Sequence, residues 1–426
     1  MDIKQLDFDI NDAFVMNHPF AHHKKTSLWA KAQHEHMPFD RCLGFYIDNT
    51  LVATSLIFSK HNLLGRWWYI PYGPCVDYFD ASLTLQVMTC LHEYAKDNGV
   101  ALLQFEVNVP RCEHDKKGEI VVDGFNHEAV TQTIRKAGYT HLGYRYGYSG
   151  NVQPRFTYIL NLTDDLKTLH KNMHKSIMAT QKKNIRRHVV VEVADASLLD
   201  VLVKFGEELS DENDFSAKGL EHFKDIMEVY KDHALYLVAS MDVVAALHTI
   251  DQESEKAQQE ITKHSENPKK AGYVKEMHAL VDALHHEKEM LRTLYPTQEK
   301  VELGAGLFVS VGKHSYDLFM YTTKKITNLS PTIAIHLKAI ELLKEKGVIY
   351  HDFVGISGSI KSSDPYYGLY DFKRKFNGDF IEYLGQFEAY FKPLQAKLIW
   401  NYHFQKRRLE RKLIRVFKQA KRKKNI

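Results

Sequence analysis

The order of predicted elements constrains the fold more than any other feature of this 426-residue sequence. In residues 1–155, two β-rich runs flank Asp48-Asn49, a dipeptide typical of a hairpin turn. A helix over residues 82–100 follows, closing at Asn98-Gly99, and a buried strand over residues 101–109 comes next. A hairpin, a helix and a strand in this order predict an α/β domain with helices packed on a mixed sheet.

The same order is predicted to begin again at about residue 156. The strand "RFTYILNL" and one long basic helix (164–187) precede two predicted hairpins, at 236–250 and 306–323. A helix ending at Gly347 and the strand "YHDFVGI" complete the repeat. We therefore predict a duplicated α/β (α+β) fold with domains at 1–155 and 156–404.

A polar helical segment interrupts the second repeat. Residues 251–294 are rich in charge, and Asn267-Pro268 breaks them in the middle. After the break, apolar residues follow a spacing close to a coiled-coil seam: Val274, Met277, Val281, Leu284, Met290, Leu291 and Leu294. We predict two antiparallel helices forming a coiled-coil arm that projects from the second domain. A solvated helical hairpin without a partner is the alternative.

Composition excludes several classes of protein. With 44% apolar and 26% charged residues, the chain is typical of a soluble globular protein. No run of eighteen apolar residues could span a membrane, and the acidic N-terminus lacks the features of a signal peptide. The four cysteines, Cys42, Cys75, Cys90 and Cys112, show no CxxC spacing. This argues against zinc sites and disulfide frameworks, and predicts reduced thiols in a cytoplasmic protein.

The C-terminal segment, residues 405–426, is strongly cationic. It holds eleven Lys or Arg and one acid, so the rest of the chain carries 46 basic groups against 52 acidic ones. Apolar residues recur in it at helical spacing: Leu409, Leu413, Val416, Phe417 and Ala420. A basic amphipathic helix of this kind can lie on an anionic membrane surface or contact the phosphates of a nucleic acid. Lys421, Arg422 and Lys423 are predicted to make such contacts.

Four stretches, in this order, resemble motifs of the FemABX family of peptidoglycan aminoacyltransferases. They are "YIPYGPCVDYFD" (69–80), "QPRFTYILNLT" (153–163), "HDFVGISGS" (351–359) and "GLYDFKRKFNGDFIEYLGQFE" (368–388). The resemblance covers nearly the full length of the chain. It implies two GNAT-like acyltransferase domains in tandem, and the arm is similar to that of the FemA and MurM branch.

The resemblance also implies a reaction. Family members move an amino acid from aminoacyl-tRNA to the stem-peptide lysine of a peptidoglycan precursor, or to a residue already attached there. The arm and the tail favour lipid II over a UDP-linked pentapeptide as the acceptor. Lipid II would place the protein peripherally at the inner face of the membrane. A related aminoacyltransferase is a further expected partner. Because an aminoacyl ester is already activated, we expect no cofactor and no metal. The enzyme must align amine and ester and stabilise an oxyanion, with about 3–4 kcal/mol from each good donor.

The family motif places its catalytic pair at Phe372 and Lys373. The ammonium of Lys373 would stabilise the oxyanion, and Phe372 would contact the transferred group or the acceptor and exclude water. The alternative for Lys373 is an exposed lysine on an edge strand.

Other residues correspond by resemblance to the substrate-binding side chains of the family. A phosphate-gripping lysine falls at Lys31, and a phosphate-gripping arginine is replaced by Lys218, which lacks the bidentate fork of arginine. His222 stands where the family has tyrosine, and Tyr321 matches a tyrosine that lines the cleft. For Tyr321, a place in the core is the alternative.

Nucleic-acid recognition modules are absent from the sequence, which has no RNP motif, GxxG loop or zinc knuckle. The basic stretch 174–187 resembles a family segment, with Lys182 at an arginine position. We predict Lys182, Arg186 and Arg187 as RNA or membrane contacts whose strength falls with salt. A solvated helix face is the alternative.

Two other functions remain open at this point. An acyl-CoA-dependent N-acyltransferase of the same fold would need a pyrophosphate-binding turn. The nearest stretch, "VELGAG" (301–306), has Val301 in the Gln/Arg position and precedes a strand. The second alternative function is that of a non-catalytic membrane or nucleic-acid adaptor. Such an adaptor would not require the Gly-rich loop before Phe372-Lys373.

Overall fold

The computed structural model describes residues 1–32, 37–148, 153–212, 217–326, 328–402 and 409. Apart from Leu409, the predicted C-terminal helix with Lys421, Arg422 and Lys423 lies outside them. The first part of the chain contains β1 (Asp2–Gln5), α1 (Phe8–Met16), α2 (Ser27–Ala32), β2 (Phe39–Ile47), β3 (Thr50–Asn62), β4 (Gly65–Ile70), α3 (Ala81–Asp97), β5 (Val100–Pro110), α4 (Glu128–Lys136) and β6 (Thr140–His141).

The second part begins with β7 (Phe156–Asn161), α5 (Leu166–Asn172), α6 (Lys175–Arg186), β8 (Val189–Val193), α7 (Leu199–Glu212), α8 (Leu220–Tyr230) and β9 (Ala234–Asp242). It continues with α9 (Val243–His264), α10 (Ala271–Leu294), β10 (Lys300–Val311), β11 (His314–Thr322), α11 (Pro331–Glu345), β12 (Tyr350–Asp352), α12 (Tyr367–Arg374) and β13 (Asp379–Tyr390). None of the helices in the described ranges combines the length and apolar character needed to cross a bilayer.

The sheet topology contains the same unit twice. Strands β1 to β4 pair antiparallel in sequence, and α3 then crosses over to β5, which pairs parallel to β4. Strands β8 to β11 repeat this pattern, and α11 crosses over to β12, parallel to β11. Two helices follow the first strand of each unit, α1 and α2 in one and α7 and α8 in the other. The mixed α/β duplication is confirmed, although its second unit begins at β8, later than residue 156.

Strand β13 joins the two units into one continuous sheet. Its first residues, Asp379–Glu382, pair with β7, which in turn pairs with β12. From Tyr383 to Tyr390 the same strand pairs with β5. Leu384, Phe387 and Ala389 are accordingly buried in the core of the first unit. The division into 1–155 and 156–404 stays a prediction, and β13 contributes to the sheets on both sides of it.

Local chemistry explains the elements that were predicted correctly. Asp48 and Asn49 both adopt positive φ, 47° and 64°, as a two-residue hairpin turn requires. The Asp80 carboxylate caps α3 by accepting a hydrogen bond from the Leu83 N–H at 2.9 Å. Gly99 follows the end of α3 with φ +68°, a conformation that glycine adopts without steric cost.

Two predicted elements were wrong. Residues 236–250 are not a hairpin, because Asp242 accepts a hydrogen bond from the Ala245 N–H at 2.8 Å and starts α9 directly after β9. Val243, Ala246 and Ile250 then form the buried face of that helix. The predicted single helix 164–187 is two helices, α5 and α6, since the His174 side chain caps a new N-terminus.

The predicted coiled-coil arm is confirmed as an antiparallel pair, α9 and α10. Lys288 pairs with Asp251 near its base, and the Tyr273 hydroxyl donates to Glu260 at 3.1 Å near its tip. The seam residues predicted in α10 are buried or half-buried. The arm connects β9 to β10, the place that the Asp48-Asn49 turn occupies in the first unit.

Candidate active site

A cavity of about 190 Å³ lies where the two units meet. The first unit contributes a group of basic and aromatic side chains: His22, His23, Lys24, Trp29 and Tyr72. The remaining lining comes from the segment leading into β7, from α8, from β11 and β12, and from β13: Pro154, Phe156, Thr157, His222, Ile226, Tyr316, Asp317, Leu318, Phe319, Asp352, Val354, Gly355 and Tyr383. An apolar cleft with a few converging charged groups is typical of a small-molecule or active site.

Lys373 lies directly behind this cavity. It is on α12, its residue is 8% exposed, and its ammonium donates to the backbone carbonyls of Phe353 at 2.6 Å, Gly355 at 3.2 Å and Val354. Burial lowers the pKa of Lys373, although the carboxyls of Asp317 and Asp352 oppose that shift. The alternative of an exposed lysine on an edge strand is therefore wrong. The backbone of Val354 and Gly355, which lines the cavity, accepts hydrogen bonds from this ammonium.

The loop that Lys373 holds is strained. Val354 has φ +55°, a left-handed conformation that is unusual for a β-branched residue. Its carbonyl accepts from Lys373, and its N–H donates to the Asp352 carboxylate at 2.7 Å. Tyr72, on the opposite wall, also has a positive φ of 58°. Strain of this kind, about 1–3 kcal/mol per residue, persists where surrounding contacts enforce it and is concentrated at functional sites.

Asp352 is the carboxylate of this loop that faces the cavity. It accepts hydrogen bonds from the Thr157 hydroxyl and the Val354 N–H. Burial raises the pKa of Asp352 to about 6, and the hydrogen bonds and the charge of Lys373 limit the rise. A carboxylate with such a pKa can accept a proton near neutral pH.

Lys24 provides a cation on the cavity wall itself. Its ammonium donates to the Gln153 side chain at 2.6 Å and lies 5.0 Å from the centre of the Trp29 ring. Burial lowers the pKa of Lys24 to about 8, against the opposing charges of Glu106 and Asp352. Lys31, the lysine predicted to grip phosphate, is exposed on α2, with its ammonium 5.4 Å from the Phe8 ring.

The other predicted site residues are divided between the cavity and its surroundings. His222 lines the cavity, whereas Lys218 lies partly exposed just before α8. Tyr321 packs its ring against Gly206, beyond the lining. Phe372 packs against the core, 5.6 Å from the His336 ring and 5.3 Å from the Phe376 ring. Their roles in substrate binding stay predictions.

Arg187 requires a correction. Lys182 and Arg186 are exposed on α6, as expected of phosphate contacts. Arg187 instead is 2% exposed and donates two hydrogen bonds of 2.9 Å to Glu287, with Glu253 a further 2.9 Å partner. The end of α6 lies under the base of the arm, so this guanidinium is already neutralised and cannot contact RNA or a membrane.

Sequence reasoning missed Lys24 and Asp352. A signal for the first was present in "HHKK" (22–25), where four titratable residues precede Trp29. Asp352 belongs to the quoted "HDFVGISGS" stretch, but only the positive φ of Val354 shows why a carboxylate is needed there. The glycines of "VELGAG" lie within strand β10, and a Cβ on Gly304 would come 2.4 Å from the Tyr321 carbonyl oxygen. Those glycines permit close strand pairing and do not form a turn that opens a helix.

The fold is a duplicated α/β unit, and the cleft between the units holds Lys24 and Asp352, with the buried Lys373 behind it. This combination is that of an acyl-transferring enzyme. The chain belongs to the FemAB family, whose family model matches residues 7–403. A similar relative is the aminoacyltransferase FemA of Staphylococcus epidermidis, 23% identical over 353 residues that cover 80% of this chain and 84% of the relative. FemA of Staphylococcus aureus is 22% identical over 353 residues that cover 80% of this chain and 83% of the relative. The crystal structure of FemX has the same fold, with a TM-score of 0.73, 19% identity, and coverage of 94% of this chain and 100% of FemX. The predictions of the family and of an aminoacyltransferase are confirmed.

Proposed function

We propose that this enzyme transfers an amino acid from aminoacyl-tRNA to the stem-peptide lysine, or the growing branch, of a peptidoglycan precursor, with lipid II as the acceptor. One observation carries the proposal: Lys373 holds a strained loop whose other face lines the cleft between the units. The family motif and the FemA relatives support the reaction class.

The cavity supplies the groups that this reaction needs. The acceptor amine attacks the ester carbonyl, a C–N bond forms, and the C–O bond to the tRNA ribose breaks. Asp352 accepts the proton that the amine must lose, since its pKa of about 6 leaves it ionised at neutral pH. The proton then passes to the departing ribose oxygen, which leaves as a hydroxyl group. Lys24 and Lys373 supply positive charge to the oxyanion, which is worth more in a water-poor cleft than in solvent.

The substrates extend beyond a cavity of this size, so other surfaces must hold them. Lys182 and Arg186 on α6 are the exposed cations we propose for tRNA or lipid phosphates. The C-terminal cations would hold the enzyme peripherally at the inner membrane surface, where lipid II is presented. A second aminoacyltransferase that provides or extends the branch is the expected protein partner.

The decisive experiment combines the purified protein with lipid II and a panel of charged tRNAs and determines the mass of the products. We expect a product heavier than the acceptor by the mass of the transferred amino acid. Lys373→Met should reduce the rate by about 100- to 1,000-fold, the usual loss for an oxyanion-stabilising group. Lys375→Met is the matched control, because Lys375 lies at the end of the same helix and pairs with Asp371. Full transfer by the Lys373 variant would remove the catalytic assignment.

A further inference from the structure

A cluster of potential metal ligands lies beside the active site and takes no part in the proposed reaction. Asp317 of β11, His336 of α11 and His351 of β12 place one donor atom each within 4.8 Å of the others. Both histidines are buried, at 2% and 0% exposure, and Asp317 lines the cleft. The three residues lie within one stretch of 35 residues, and the crossover from β11 through α11 to β12 brings their side chains together.

The donor atoms face one another without forming hydrogen bonds. Asp317 Oδ1 lies 3.4 Å from His351 Nε2, and Asp317 Oδ2 lies 3.6 Å from His336 Nδ1. Asp317 Oδ1, His351 Nε2 and His336 Nδ1 nonetheless have no hydrogen-bond partner among the described residues. Leaving a buried polar atom unsatisfied costs about 1–3 kcal/mol, so three in one place require an explanation.

A metal ion accounts for this geometry better than a shared proton does. Ligand atoms around a tetrahedral ion, each about 2.0–2.1 Å from it, lie about 3.3 Å apart. The two imidazole nitrogens lie at comparable distances, 3.4 and 3.6 Å, from the two oxygens of the Asp317 carboxylate. Two imidazoles and one carboxylate are also a common ligand set for zinc and ferrous iron.

The surroundings are prepared for ligation as well. Ser315 Oγ lies 2.9 Å from His351 Nδ1, which fixes the imidazole and directs Nε2 towards Asp317. Both imidazoles are buried, and each lies against the Phe353 ring, with ring centres 5.3 Å from His336 and 4.7 Å from His351. The ammonium of Lys373 is a nearby positive charge that disfavours a bound cation. The carboxyls of Asp317 and Asp352 carry the opposite charge and offset that of Lys373.

We propose that Asp317, His336 and His351 form a binding site for one divalent transition-metal ion, with Zn²⁺ as the preferred occupant. The site leaves a coordination position for water or substrate, as three-ligand zinc sites do. The sequence predicted no metal, because an aminoacyl ester is already activated and the cysteines lack CxxC spacing. The three ligands proposed here follow no short motif. The proposal depends on these side chains and not on the identity of the substrates.

A second group in the described part of the chain serves as an internal control. Cys112, His114 and Glu382 also lie close together. Glu382, however, already pairs with Arg111 and Arg155, whose two positive charges repel a cation. We therefore expect no ion at this second group.

The test uses the full-length protein after treatment with a chelator. Co²⁺ is titrated and followed by its visible absorbance, Zn²⁺ affinity is measured by competition with a chromophoric chelator, and stoichiometry is measured by equilibrium dialysis. We expect one Zn²⁺ per chain and a tetrahedral Co²⁺ spectrum. His336→Gln and His351→Gln should each weaken binding by about 100-fold or more, and Ser315→Ala by about 10- to 100-fold, the range for a residue that orients a ligand. His114→Gln should bind like the wild type.

Each result decides the proposal. Absence of stoichiometric binding to the wild type overturns it, as does binding that survives both His336→Gln and His351→Gln or that disappears in His114→Gln. Should the two ligand variants fail to fold, Ser315→Ala decides, because loss of one hydroxyl leaves the fold intact. Unchanged Zn²⁺ affinity and an unchanged Co²⁺ spectrum in folded Ser315→Ala would then contradict the site.

Discussion

At the scale of single residues, the active site depends on opposite charges held in the same buried environment. Asp352 must be ionised to accept a proton, and burial raises its pKa to about 6. Lys373 must be protonated to stabilise negative charge, and burial lowers its pKa below the usual value of 10.5. In the proposed mechanism, these two groups therefore set an acidic and a basic limit on activity.

These limits predict a bell-shaped pH profile for kcat/KM of aminoacyl transfer. Activity should rise as the pH passes about 6, where Asp352 loses its proton, and should fall at a pH below the normal range of lysine. Initial rates measured from pH 5 to 10 with a stable acyl donor analogue test this. In Asp352→Asn the acidic limb should disappear along with most of the rate; an acidic limb that persists unchanged in this variant would assign it to another group.

Residue-level chemistry was only partly predictable from the sequence. Lys373 was identified because its neighbours form a recognisable motif. Lys24 and Asp352 were not, because their importance arises only when the segment before α2 meets β11 and β12 at the cleft. Arg187 was misassigned for the same reason: a basic helix face has the same sequence pattern whether it faces solvent or two glutamates on another helix.

At the scale of elements, the arm is attached to the second unit through a buried charge cluster. Arg187 at the end of α6 pairs with Glu253 of α9 and Glu287 of α10, so one guanidinium connects all three helices. The neighbouring Arg186 is exposed and lies 3.4 Å from Glu253. Two adjacent arginines therefore have very different environments.

We expect Arg187→Met to lower the free energy of unfolding by about 3–5 kcal/mol, since it leaves the buried carboxylate of Glu287 unpaired. Arg186→Met, the matched control, should cost less than about 1 kcal/mol, as exposed ion pairs usually do. Urea unfolding followed by circular dichroism measures both. Equal losses in the two variants would show that the cluster does not stabilise the base of the arm.

The elements also show where sequence patterns suffice and where they do not. The Asp48-Asn49 turn and the cap of α3 are local, and each was predicted correctly. In "VVAALHTI" (243–250), β-branched residues favour a strand, but packing of α9 against α10 imposes a helix. The break between α5 and α6 depends on a histidine cap, which hydrophobic periodicity cannot show.

At the scale of the whole molecule, Glu382 lies where β13 passes from one unit to the other. Its carboxylate pairs with Arg111 of the first unit, with Arg155 before β7, and with His114. Burial alone would raise its pKa, but the hydrogen bonds from His114 and Arg111 and the charge of Arg155 outweigh it and lower the pKa of Glu382 to about 2. This junction should therefore contribute to the stability of both units.

Glu382→Gln should lower the free energy of unfolding at neutral pH by about 3 kcal/mol or more, because the buried Arg155 and the half-buried Arg111 lose their partner. The lowered pKa also fixes the sign of a pH effect. The contribution of Glu382 is complete above its usual pKa of 4.5 and is lost as the pH falls towards 2. Unfolding measured between pH 2 and 7 should show a steeper acid loss in the wild type than in Glu382→Gln. Glu93→Gln, an exposed control, should follow the wild type.

In the proposed function, the C-terminal cations hold the enzyme at an anionic membrane surface. Each cation near an anionic surface adds about 1 kcal/mol, so replacing Lys421, Arg422 and Lys423 with Gln should weaken binding to vesicles by up to about 100-fold. Co-sedimentation with vesicles containing anionic lipid, at several salt concentrations, measures this. The matched control replaces Lys269, Lys270 and Lys275, three exposed cations at the tip of the arm, and so removes the same charge elsewhere. If both triple variants lose vesicle binding equally, net charge and not the C-terminal segment accounts for attraction to the membrane. If neither loses it, the peripheral membrane assignment has no support from these residues.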